Sequence, residues 1–230
     1  MSFNSEQIHK IGKEISTRIN GKTLFDEFSR GRYSTDSSLY QIKPLGAVLP
    51  KDTNDVLSLM EYSQKNSIPL LARGSGSSQC GQTVGESIIL DYTKHQNKIL
   101  ELNVEEKFVW VQPGVVLDQL NTYLKPHGLW FPVDVSTSSR ATIGGMSANN
   151  SCGSRSLYYG NMVHNVLAIE AILDDGSIFN FDQINKNYLA TKNNQDRLYK
   201  IIDKFIDVRQ QVGGEIDANW PTTQRRVGGY

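Results

Sequence analysis

The chain has 230 residues, with 24 Lys+Arg against 24 Asp+Glu, 38% hydrophobic and 21% charged residues. That balance excludes a global field aimed at nucleic acid or an anionic membrane, and no apolar run approaches the roughly 20 residues of a spanning helix. The polar start "MSFNSEQIHKIGKEI" lacks the apolar core of a secretory signal, and the only cysteines, Cys80 and Cys152, form neither a disulfide framework nor a CxxC pair. With His9, His95, His127 and His164 far apart as well, the sequence offers no metal site and favours a reducing cytoplasm.

In chain order, Ile8, Ile11, Ile15 and Ile19 recur at helical spacing and predict an amphipathic helix. Residues 31–43 read as irregular, and "KPLGAVLP" as a short strand closed by Pro50. Thr53 is placed to cap a helix through about Asn66, with Val56, Leu57, Met60 and Tyr62 turned inward. "IPLLA" and "SIILD" read as buried strands, and "KILELNVEEKFVWVQPG" as a hairpin. Leu117, Leu120 and Leu124 predict a helix ending near Gly128. "NVLAIEAILDDGSIFNF" is a second hairpin turning at Asp175-Gly176, and Leu198, Ile201, Ile202, Phe205 and Val208 predict a last helix. Helices and strands mix without a strict βαβ rhythm, so the fold class is α+β, with a first small sheet at about 40–95 and a second at about 98–180. Trp110, Trp130 and Phe131 read as core, Cys80 and Cys152 as small buried cysteines, and the ending "TQRRVGGY" as a cut.

Between the strands "IPLLA" and "SIILD" lies Gly74-Ser75-Gly76-Ser77-Ser78, preceded by Arg73. Clustered glycine costs conformational entropy, so it belongs where the backbone bends sharply or approaches something closely. Successive amides in such a turn can form a concave nest for phosphate. A GxGxxG fingerprint fails because Gln79 stands at the third glycine position. A P-loop fails because Gln82 replaces the lysine and a strand, not a helix, follows. A nest for the pyrophosphate of a flavin dinucleotide and a plain glycine-rich surface turn both remain.

The second run, "SSRATIGGMSANNSCGSRSLYYG", is almost entirely small from Ala141 to Gly153, apart from Ile143 and Met146. It cannot build a core of its own, so it is either wrapped around a ligand or a covering turn. Asn149 and Asn150 supply donors and acceptors suited to a ribityl chain or a flavin edge.

Together, "RGSGSSQCGQTVG", "VWVQPGVVLDQLN", "SSRATIGGMSANNSCGSRSLYYG" and "VLAIEAILDDG" resemble the PCMH-type FAD-binding domain of the vanillyl-alcohol oxidase / p-cresol methylhydroxylase superfamily. The likeness runs from about Tyr33 to Phe181 and is nearest to the FAD-linked D-lactate, glycolate and D-2-hydroxyglutarate dehydrogenases, above all the long forms with a C-terminal iron–sulfur region. It implies an α+β fold of two subdomains, about 40–95 and 98–212, within a cofactor domain at 36–212. An N-terminal helical segment at 1–35 precedes it, and the start of a linker or further region follows at 213–230. The resemblance assigns the pyrophosphate to Arg73, Gly74, Ser75, Gly76, Ser77 and Ser78. The ribityl and flavin fall to Ser136, Ala141, Thr142, Gly144, Gly145, Asn149, Asn150 and Gly153, and Val166 lies near the adenine end.

The first loop has serines where covalent members carry a histidine, so noncovalent FAD is expected. Substrate-binding residues of the family fall in later regions, and no catalytic residue is assigned here. The complete enzyme implied would oxidise a D-2-hydroxy acid by hydride transfer to flavin N5, with an iron–sulfur domain or another electron acceptor as partner. It would work in the cytoplasm or peripherally at the inner face of a membrane. The alternative is a flavin- or nucleotide-binding module without turnover.

Overall fold

The computed structural model describes residues 3–182, 197–223 and 225–229. They fall into two compact units, Met1–Asn165 with Val227–Tyr230, and Val166–Arg226. The α+β class is the one observed.

The first unit opens with α1 (Ser5–Ser16), which starts at a reciprocal capping box between Asn4 and Gln7. Ile8, Ile11 and Ile15 are buried along one face, as the spacing predicts. β1 (Lys22–Leu24) and α2 (Glu27–Arg32) follow, both too short to give a periodic signal. β2 (Gly46–Leu49) then leads into α3 (Thr53–Asn66). The cap of α3 is Asp52 rather than Thr53, because the Asp52 carboxylate accepts from the Asp55 amide. Val56 and Tyr62 are buried, but Leu59 is deeper than Leu57 or Met60, at 1% exposure.

β3 (Leu70–Arg73) and β4 (Ile88–Asp91) complete a four-stranded sheet in the order β1-β2-β4-β3. β4 runs parallel to both β2 and β3, and β1 pairs antiparallel with β2. Parallel neighbours need a long crossover, which is usually helical. Here the crossover from β3 to β4 is the first glycine loop. One sheet face carries Val48, Ile88 and Leu90 into a core with the α1 isoleucines, Leu59 and Tyr62, while Ala47 and Ile89 turn to Tyr33 on the other. Alternation along the strands sorts the two faces.

β5 (Ile99–Asn103) and β6 (Phe108–Val111) form the expected hairpin, and α4 (Leu117–Leu124) runs through a 3₁₀ turn to Gly128 at φ +68°. The small-residue run contains a helix, α5 (Ile143–Ala148), which the sequence reading missed, followed by α6 (Ser156–Tyr159) and α7 (Met162–Asn165). Trp130 is 41% exposed rather than core, with the Arg155 guanidinium 5.2 Å from its ring centre. Trp110 and Phe131 are half-buried. Cys80 is exposed and Cys152 half-buried, which corrects the expectation of two buried thiols.

The second unit holds the antiparallel pair β7 (Ile169–Ile172) and β8 (Ile178–Phe181), turning at Gly176 with φ +82°, and the long helix α8 (Arg197–Asn219). The expected second sheet is therefore two separate ladders, β5-β6 and β7-β8, among the described residues. The last helix is the one predicted; Leu198 and Ile202 are buried on it, whereas Phe205 and Val208 are exposed. No described helix is long and apolar enough to cross a membrane.

Candidate cofactor-binding site

The first loop leaves the carboxyl end of β3 at Arg73, where that strand lies in register with Asp91 of β4. In open sheets, ligands gather at such carboxyl edges. Gly76 adopts φ +70°, a region that side chains disfavour, and its tight bend carries the five small residues around. Among the described residues, no group accepts from the backbone amides of Gly74, Ser75, Gly76, Ser77 or Ser78. Backbone N–H groups left without partners in a folded chain call for water or a ligand acceptor.

The second loop is held by backbone on both sides. Leu117 donates to the Ala141 carbonyl at 3.0 Å, Ile143 to Val115 at 2.8 Å and Gly144 to Pro113 at 2.9 Å. A side chain on Gly144 would collide with Pro113, and one on Gly114 with the Tyr92 carbonyl, so the Pro113-Gly114 turn is a structural brace. Thr142, buried to 2% exposure, caps α5 by accepting from the Gly145 amide at 3.3 Å. Beyond α5, Gly153 presses on Asp134, which also accepts from the Ser154 hydroxyl at 2.7 Å and the Arg155 amide at 3.0 Å.

The two loops meet. A Cβ on Gly74 would overlap the Thr142 hydroxyl, and would also lie 3.4 Å from Thr142 Cβ. A second bridge is Gln82, whose amide nitrogen donates to Asn149 Oδ1 at 3.2 Å while its oxygen accepts from the Ser78 hydroxyl at 2.5 Å. The residue that spoils a P-loop therefore joins the loops, which an amide can do because it both donates and accepts. The sequence reading passed over this role, although an amide where a cation fails was its visible signal.

Asn149 and Asn150 also stitch the second loop to itself. Asn149 Nδ2 donates to the Ser151 hydroxyl at 2.9 Å. Asn150, at φ +47°, accepts from the Val163 amide at 3.1 Å and donates to the Gly228 carbonyl at 3.2 Å. Ser136 and Gly145 are exposed, Ala141 is buried, and Gly144 and Gly153 are half-buried. Val166 opens the second unit and is half-buried there.

Arg73 sits apart in character from the other residues of its loop. It is only 9% exposed, and its guanidinium donates to the carbonyls of Tyr33 (3.3 Å), Thr35 (2.8 Å) and Thr83 (3.2 Å). Burial pushes its pKa below the ordinary value, against the pull of Asp36 and Asp91, yet a guanidinium stays charged at any pH the fold survives. Beneath it, the Tyr33 hydroxyl donates to Asp91 Oδ2 at 2.6 Å; burial, together with that carboxylate, raises the phenol far above its usual range.

The seat is thus lined by small residues, unpaired amides and neutral hydroxyls and amides, and it is made from two loops in one unit. That donor set fits an extended diphosphate ligand held by dipoles. Residues 44–182 match the FAD binding domain family, and the chain belongs to it. FAD is the cofactor that this class of fold holds.

Among curated proteins, the D-2-hydroxyglutarate dehydrogenase of Haemophilus influenzae is 43% identical over 155 residues, covering 66% of this chain and 15% of that protein. The D-2-hydroxyglutarate dehydrogenase of Escherichia coli is 37% identical over 219 residues, covering 92% of this chain and 21% of that protein. The chain thus spans about a fifth or less of the length of these relatives. A solved alkyldihydroxyacetonephosphate synthase shares the fold with a TM-score of 0.66 at 20% identity, over 78% of this chain and 35% of that one.

Proposed function

We propose that this chain is the FAD seat of a flavin-dependent dehydrogenase that oxidises a D-2-hydroxy acid of the D-2-hydroxyglutarate, D-lactate or glycolate type. The observation that carries the reading is the meeting of two nearly side-chain-free loops, Gly74 against Thr142 and Gln82 against Asn149, around unpaired amides. The relatives that the chain resembles along most of its length are dehydrogenases of such an acid.

In this reading Gly74, Ser75, Gly76, Ser77 and Ser78 hold the pyrophosphate through their amides. Ser136, Ala141, Thr142, Gly144, Gly145, Asn149, Asn150 and Gly153 line the ribityl and flavin. When bound, FAD supplies an acceptor for the hydride leaving the hydroxyl-bearing carbon of the acid. The chain's own residues position that cofactor without a covalent tether. The base and the acid-binding groups come from elsewhere in the complete enzyme, as do the iron–sulfur region or other acceptor of electrons, and the work is done in the cytoplasm.

Titration of the apoprotein with FAD tests the seat: one FAD should bind per chain and raise the melting temperature. Absence of binding defeats the proposal. In the complete enzyme, adding D-2-hydroxyglutarate, D-lactate or glycolate without oxygen should bleach the yellow colour. A bound flavin that none of the three reduces leaves a binding module and sinks the dehydrogenase reading.

A further inference from the structure

Residues 33–40 run behind the first glycine loop as a strap and touch it at four places. The Ser37 amide donates to the Gly76 carbonyl at 3.1 Å, joined by the Ser37 hydroxyl at 3.4 Å. The Thr83 hydroxyl donates to Asp36 Oδ2 at 2.9 Å. A Cβ on Gly81 would overlap the Tyr40 ring. Arg73 joins the two, since its guanidinium reaches Tyr33 and Thr35 on the strap and Thr83 at the far end of the loop. Gly76 packs closely against that guanidinium, where a Cβ would come within 2.8 Å of Arg73 Cζ.

The consequence follows from peptide geometry. The peptide bond between Gly76 and Ser77 is trans, as are all those among the described residues, so the N–H of Ser77 points opposite to the carbonyl of Gly76. Holding the Gly76 carbonyl against Ser37 therefore aims the unpaired Ser77 amide away from the strap. Burial by itself would raise the Asp36 carboxyl, but hydrogen bonds from Ser38 and Thr83 and the charge of Arg73 hold it below the ordinary range. Arg73, a charged donor on the loop, and Asp36, a charged acceptor on the strap, thus tie the two together.

We infer that Arg73 is a positioning residue, not a phosphate ligand: with the strap Tyr33–Tyr40 it fixes the first loop in the shape that presents its amides to the pyrophosphate. This rests on the FAD reading above. It differs from the assignment of Arg73 to the cofactor that the family resemblance implies, because all three of its hydrogen bonds go to backbone carbonyls of the chain itself.

The variants Arg73→Lys, Arg73→Met, Asp36→Asn and Thr83→Val, each titrated with FAD and with ADP at two salt concentrations, decide the matter. A lysine cannot fork to three carbonyls but serves well as a phosphate cation. Arg73→Lys should therefore weaken FAD and ADP about as much as Arg73→Met, roughly tenfold or more for lost charged hydrogen bonds. The salt dependence of ADP binding should stay that of the wild type. Thr83→Val and Asp36→Asn leave Arg73 in place and should still weaken both ligands, with riboflavin, which lacks phosphate, unaffected. Hydrogen exchange of the Ser37 amide, which donates to the Gly76 carbonyl, should rise in the apoprotein of every variant.

Rescue by lysine together with a flattened salt dependence would overturn the inference, as would wild-type affinity in Thr83→Val and Asp36→Asn. If the Arg73 variants do not fold, Thr83→Val and the exchange measurement decide alone. Should the wild type bind neither FAD nor ADP, the functional reading fails, while the exchange of the Ser37 amide still reports whether Arg73 anchors the loop to the strap.

Discussion

Replacing Gly74 by alanine puts a methyl group where the Thr142 hydroxyl already stands, with Thr142 Cβ and Cγ2 a further 3.4 and 3.5 Å away. Thr142 is buried and its hydroxyl caps α5, so it cannot swing aside without loss. Overpacking of a tight site costs about 1–3 kcal/mol, and a lost cap about 1 kcal/mol more. Gly74→Ala should therefore destabilise the protein by about 2–4 kcal/mol in urea unfolding. Thr142→Ala alone should cost about 1 kcal/mol for the cap. The double variant should cost no more than Thr142→Ala, since the hydroxyl that the methyl would strike is gone, which leaves a coupling of about 2–4 kcal/mol, the whole cost of Gly74→Ala, in the cycle. Additive costs, or a Gly74→Ala protein as stable as the wild type, would refute the claim that the two loops touch at this point.

Three other outcomes are expected. Asn150 at φ +47° uses both ends of its side chain, so Asn150→Ala should destabilise more than Asn150→Gly by about 0.5–1 kcal/mol, the glycine relieving the backbone strain in urea unfolding. Burial, and then the hydrogen bond to Glu14, push Tyr62 up to about 12, so its contribution is complete below pH 10 and is lost as pH climbs through about 12. Stability measured across that alkaline window should fall for the wild type and fall less for Tyr62→Phe. Tyr33→Phe leaves the buried Asp91 carboxylate short of one donor and should cost about 1–3 kcal/mol at neutral pH.

The parts of the fold that were legible in the sequence are those with a period or a turn code. The isoleucines of α1, the leucines of α4 and the Asp175-Gly176 turn each carry their own signal. β1 and α2 are too short to repeat a pattern, and α5 is built from residues too small to show one. In the site, glycine density marked both loops because close approach demands it. Their meeting is tertiary, and so is the strap: Tyr33 matters because β3 and β4 bring Arg73 level with Asp91. Trp130 and Cys80 were misjudged for the same reason, since residue type alone says little about which side of a loop a side chain takes.

Hydrogen exchange with and without FAD tests the central claim most directly. Binding of one FAD should slow exchange together at residues 74–82 and 141–153, at the same FAD concentration. Protection of only one of those segments, or of neither, would contradict a single seat built from both.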